Sequence, residues 1–176
     1  MKRLLSLAVL LILAGAMTVV KADDDSASAE LHNANGESVG TVAMTQTDDG
    51  VKIVLDVSHL SPGMHAFHIH GTGKCDAPDF KSAGGHFNPE GKEHGLKNPK
   101  GHHAGDMENF EADAEGSAHV EVVNPAVTLG EGKNSVFQPN GTAFVIHEKA
   151  DDEMSDPAGN AGGRVACGVI EHSDGM

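Results

Sequence analysis

The sequence predicts an all-β fold, an eight-stranded Greek-key β-barrel or sandwich carrying two long functional loops. Three observations predict it. Short runs of alternating apolar and polar residues are separated by turn dipeptides, as antiparallel strands require. Glycine is abundant, at 22 of 176 residues, while there is no Trp, no Tyr and only 6 Phe, a balance that suits turns and loops rather than a helical bundle. Two long stretches carry no periodicity at all, and one of them holds His86, His94, His102 and His103.

Residues 1–22 read as a cleaved signal peptide. Lys2 and Arg3 give a basic start, residues 4–13 are apolar apart from Ser6, and small-residue sites follow at Ala14-Gly15-Ala16 and Val20-Lys21-Ala22. The alternative is an uncleaved anchor, since residues 4–20 are nearly long enough to span a bilayer. The small-residue sites have no purpose in an anchor, so the expectation is cleavage after Ala22. One domain, residues 23–176, is then exported to the periplasm or the extracellular space with no stable membrane association. Losing Lys2, Arg3 and Lys21 takes the formal charge from −14 to −17. Such acidity excludes general nucleic-acid affinity, because phosphates would be repelled.

Residues 28–32, 39–44 and 51–60 alternate as strands, and Asn35-Gly36 and Asp49-Gly50 supply dipeptides that tolerate positive φ. The N-terminal third is therefore expected to be an antiparallel meander. Residues 65–71 form the next strand. Periodicity is lost from Gly71 to about Gly116, resumes at 118–123 and 143–148, lapses at 150–163 and closes at 164–171. An irregular stretch of more than forty residues needs something besides a core to hold it, and a metal would do so.

Histidine supplies the donors. In a strand, His68 and His70 share one face and Phe67 and Ile69 the other, so the imidazoles are expected to project together on the outer side. In "TAFVIHEK", Phe144 and Ile146 face inward and His147 outward. Ligation of a His68, His70 and His147 group by imidazole alone suits copper, zinc, iron or nickel. The long loop adds His86, His94, His103 and Asp106, three imidazoles and a carboxylate, which make a plausible four-coordinate zinc site. Cys75 and Cys167 are the only cysteines. In an exported chain they point to one disulfide closing a loop of about ninety residues, worth about 4–5 kcal/mol on the chain-entropy account, the alternative being two buried thiols.

The segments "HAFHIHG", "GGHFNP", "HHAGD", "VIHEKADD" and "GNAGGRVACGVI" resemble, in order and spacing, the signatures of the copper/zinc superoxide dismutases, bacterial exported type. They span residues 65–170. The resemblance implies one copper and one zinc per subunit, with superoxide anion as substrate. It implies that His68, His70 and His147 hold copper, that His86 bridges the metals, and that His94, His103 and Asp106 complete the zinc site. His65 then ties the loop backbone near the copper strand, and Asp151 orients ligands of both metals. Cys75 and Cys167 become the intrasubunit disulfide, and Arg164 the arginine beside copper that binds the anion, with His86 as the proton carrier. The His-x-x-Asp spacing selects His103 over His102. Lys149 is a candidate for steering the anion, because residues 151–163 lack the string of charges found in eukaryotic members. A monomer or a homodimer fits equally. The alternative function is a non-enzymatic copper/zinc-binding or copper-delivery protein on the same fold. Four histidines at the copper positions, together with Arg164, separate the enzyme from it.

Overall fold

A computed structural model describes residues 26–173. The expected signal peptide, residues 1–22, lies outside the described residues.

The first hairpin joins β1 (Ser26–Asn33) to β2 (Ser38–Thr47), and a second joins β2 to β3 (Gly50–Val57). At the first turn Asn33 Oδ1 accepts from the Asn35 and Glu37 amides, and Gly36 takes φ +79°, as its dipeptide predicts. The second turn falls one residue earlier than expected. Thr47 pairs with Gly50, so Asp48 and Asp49 make the turn and Gly50 is already in the strand. Gly50 sits at φ +131°, where an added Cβ would lie 2.5 Å from the Asn124 carbonyl oxygen, so the position admits no side chain.

β4 (Gly63–His65) and β5 (Phe67–His70) are separated by Ala66, where a single strand over 65–71 was expected. The Ala66 amide donates to Lys149 and its carbonyl accepts from His147, which breaks the ladder at that residue. A short strand, β6 (Phe110–Ala112), interrupts the stretch expected to be irregular to Gly116, and β7 (Ala118–Asn124) follows. β8 (Ala143–His147), β9 (Arg164–Val169) and β10 (Glu171–His172) complete the chain.

The main sheet runs β5-β8-β9-β1-β2-β3-β7, with β10 also on β1, and β4 pairs with β6. Because β4 leads into β5 and β6 into β7, the β4–β6 pair spans the two edges of the sheet. This curls it into the expected eight-stranded barrel-like fold.

On β3 the burial alternates strictly. Val51, Ile53, Leu55 and Val57 face the core with Leu31, Val42, Met44, Phe67, Phe144 and Ile146. Truncating Ile53 to Ala would remove a fully buried side chain at a cost of about 2–5 kcal/mol. β5 and β8 differ, for every one of their residues is buried. The face carrying His68, His70 and His147 was expected to lie outside. Instead the long loops lie over it, and a second apolar cluster of Phe80, Ala83, Ala143, Val145 and Cys167 fills the space beneath.

Candidate metal centre

β5 and β8 pair antiparallel with His68 opposite Val145 and His70 opposite Ala143. Past a register shift at the end of β8, His147 stands opposite Arg164 of β9. The free edge of β5 is not left open. Ile69 donates to Gly105 and accepts from Phe87, while Gly105 donates to Phe87, so two strips of the long loop are laced to one strand. Gly105 is needed there, since a Cβ would lie 2.2 Å from the Ile69 carbonyl oxygen. The lacing carries His86 and His103 to the strand that holds His68 and His70.

Among the described residues two four-residue donor groups result, beside a trio of His68, His94 and Asp151. His68, His70, His86 and His147 offer ligand atoms that all lie within 4.8 Å of one another, and so do His86, His94, His103 and Asp106. His86 belongs to both. Its Nδ1 lies 2.8 Å from Asp106 Oδ1, which leaves Nε2, across the ring, toward the first group. His94 Nδ1 and His103 Nδ1 lie 3.1 and 3.3 Å from the same Asp106 oxygen. Asp106 Oδ2 accepts the Gly95 and His103 amides at 3.0 Å each. His102 is turned away, its Nδ1 2.7 Å from the His103 carbonyl oxygen.

In the first group His70 Nδ1 donates to the Gly84 carbonyl at 2.9 Å, so its Nε2 is the free donor and lies 3.4 Å from His147 Nε2. His68 Nε2 lies 2.8 Å from Asp151 Oδ2, and His94 Nε2 lies 3.0 Å from Asp151 Oδ1. One carboxylate thus links a ring of each group. His65 is a member of neither group. Its Nδ1 and Nε2 lie 2.7 Å from the carbonyl oxygens of His147 and Ser61.

These residues fit metal ions. His68 Nδ1 and His86 Nε2 are buried with no hydrogen-bond partner, an expensive condition that a cation relieves. Burial pushes His86 down to about 4 and His147 to about 3, and lowers His70 as well, so all three are neutral with lone pairs available. Burial alone would also lower His94, but hydrogen bonds to Asp106 and Asp151 outweigh it and raise it to about 9. Burial would raise both carboxyls, yet the rings around them hold each well below the usual carboxylate range.

Arg164 is half-buried beside the first group, its Nη1 and Nη2 each 2.6 Å from the carbonyl oxygens of Phe80 and Gly84. Those carbonyls belong to the loop tied down by the Cys75–Cys167 disulfide, whose Cα atoms are 5.6 Å apart. The remaining histidines make local contacts: His32 with Glu30, His59 with Ser58, His119 with Asp56, and His172 stacked on Phe137. Sequence reasoning missed the backbone acceptors of Phe80 and Gly84, and it missed Asn109, whose side chain grips the Asp151 backbone. An Asn three residues beyond Asp106 in a buried loop was the one available signal.

A curled β-sheet whose covering loops bring two metal-binding groups together at a shared imidazole defines a dinuclear metalloprotein. The chain belongs to the copper/zinc superoxide dismutase family, whose family model matches residues 38–170. It is 57% identical over 145 residues to Superoxide dismutase [Cu-Zn] 1 of Aquifex aeolicus, covering 81% of this chain and 86% of that protein. Among solved structures it is similar to a SOD-like protein from Bacillus subtilis, with 43% identity and a TM-score of 0.78 over 81% of this chain and 96% of that one. It is also similar to the Cu/Zn superoxide dismutase from Brucella abortus, with 29% identity and a TM-score of 0.69 over 84% and 100% of the respective chains.

Proposed function

We propose that this chain disproportionates superoxide, converting two superoxide anions and two protons to dioxygen and hydrogen peroxide. The observation that carries the reading is His86, shared between two buried donor groups with its Nε2 unpartnered. His68, His70, His86 and His147 would hold copper, and His86, His94, His103 and Asp106 would hold zinc. When bound, copper supplies one-electron chemistry and zinc a fixed positive charge without redox change.

The chain's own residues do the rest. Arg164, held by two loop carbonyls, attracts and orients the anion within an otherwise acidic protein. His86 Nε2 is the atom that takes up and delivers a proton. Its burial disfavours the imidazolium, so a proton placed there passes readily to reduced oxygen. Asp151 holds His68 and His94 in their tautomers and orientations. His65 anchors the end of β8 through the His147 carbonyl.

Export, to a periplasm or the extracellular space, is part of the same proposal. The disulfide supports it, because such bonds persist in oxidising compartments. The test is metal analysis of the purified protein with superoxide-scavenging activity measured before and after cyanide. One copper and one zinc per chain, with activity proportional to copper and lost to cyanide, is the expected result. A copper-replete protein without activity would leave only metal binding.

A further inference from the structure

Asp151 links His68, a member of the first donor group alone, to His94, a member of the second alone, and its own placement is fixed from two sides. Asn109 Oδ1 accepts the Asp151 amide at 2.7 Å, and Asn109 Nδ2 donates to the Asp151 carbonyl at 2.9 Å and to Glu153 Oε1 at 3.2 Å. Asn109 lies three residues beyond Asp106, on the segment that feeds β6, so one short stretch supports both linking carboxylates. On the other side the backbone of Gly159, at φ +60°, presses against the carboxylate itself. An added Cβ there would lie 1.6 Å from Asp151 Oδ1 and 2.7 Å from His94 Nε2.

We infer that Asn109 and Gly159 are positioning residues. The Asn109 side chain clamps the backbone of Asp151 and the bare Gly159 walls its carboxylate. Together they set the position from which Asp151 aligns His68 in one metal group and His94 in the other. The inference rests on the metal assignment above. It follows from geometry: a two-point amide clamp leaves the Asp151 peptide little freedom to rotate, and the carboxylate then has one place to go between the two rings. Loss of a partner of this kind commonly weakens a metal site about 10- to 100-fold.

The experiment compares the copper- and zinc-loaded wild type with Asn109→Ala, Asp151→Asn, the double variant and Gly159→Ala. The readouts are the electron paramagnetic resonance spectrum of the copper(II) form and the rate of metal loss to a chelator. Asn109→Ala and Gly159→Ala should shift the spectrum in the same direction as Asp151→Asn and speed metal loss about 10- to 100-fold. Asn109→Ala should add no further spectral shift in the Asp151→Asn background, because it acts through that carboxylate. A merely structural role would lower the melting temperature and leave the spectrum unmoved, and that result overturns the inference, as would spectral effects that add. Should Asn109→Ala fail to fold, the isosteric Asn109→Asp serves, since it keeps the Oδ1 acceptor and replaces the Nδ2 donor with an anionic oxygen that the Asp151 carbonyl and Glu153 Oε1 repel. A wild type that takes up no copper overturns the metal assignment and this inference with it. A loaded wild type whose variants look the same overturns this inference alone.

Discussion

Arg164 and His70 share one acceptor: the Gly84 carbonyl oxygen lies 2.6 Å from Arg164 Nη2 and 2.9 Å from His70 Nδ1. The same backbone atom therefore orients a ring of the first donor group and the cation beside it. Arg164→Lys keeps the charge but cannot fork to both Phe80 and Gly84, so it should lose part of the rate. Arg164→Glu reverses the charge and should lose far more. The full gap should fall within the roughly 10- to 1,000-fold range of electrostatically steered sites, of which this family is a known case. Both metals should remain bound in each variant. Equal rates for wild type and Arg164→Glu at low salt would remove Arg164 from the mechanism.

The disulfide supports that arrangement from below. Cys75 and Cys167 join the loop to β9 across 92 residues, and Phe80 and Ala83 pack against the same cluster. Reduction should lower the melting temperature by about 10 °C, from the loop-closure contribution spread over a domain of this size. Activity should fall before metal is lost, because the carbonyls that grip Arg164 loosen first. An unchanged melting temperature after verified reduction would contradict this account.

Much of the site was legible because its donors are chemically distinct and sparse. His68 and His70 alternate with core residues, and His86, His94, His103 and Asp106 stand out in a stretch with no competing pattern. What the sequence hid is backbone. The Gly84 and Phe80 carbonyls leave no signature in residue type, and the close approach of Gly159 is one glycine among 22. The fold was legible wherever one face meets water, as on β3. It was least so at Ala66, where two adjacent apolar residues, Ala66 and Phe67, interrupt the alternation without revealing that the Ala66 amide leaves the ladder for Lys149. β6 was missed because three residues are too few to show a period. The burial of the histidine face was missed for another reason: loops cover it, and alternation along a strand says nothing of what lies above.

Replacing a residue found in only one group should separate the two sites. His147 contributes to the first group alone, so His147→Ala should abolish superoxide turnover while zinc still fills the group around Asp106. Elemental analysis alongside the activity assay decides it. Normal turnover by a copper-replete His147→Ala protein would refute the copper assignment.

The two groups should also differ in how they meet protons. Burial lowers His94, but the Asp106 and Asp151 carboxylates outweigh it and raise the ring to about 9, so near pH 7 the metal-free protein holds a proton there. A cation entering the second group must displace that proton. Zinc affinity should therefore climb about tenfold per pH unit as pH rises, and flatten once pH passes about 9, where His94 is already neutral. In the first group burial pushes His86 down to about 4 and His147 to about 3, and His70 is lowered too. Those three rings are neutral throughout the neutral range, so they hold no proton that an entering copper ion would have to displace. Calorimetry in buffers of different ionisation enthalpy measures the proton count directly. Zinc uptake near pH 7 should release about one proton from His94. The Asp106 carboxyl, held below the usual carboxylate range by the rings around it, releases none because it is already ionised. If zinc affinity proves flat between about pH 6 and 9, the proton is not held between Asp106 and Asp151, and the electrostatic reading of the second group is wrong.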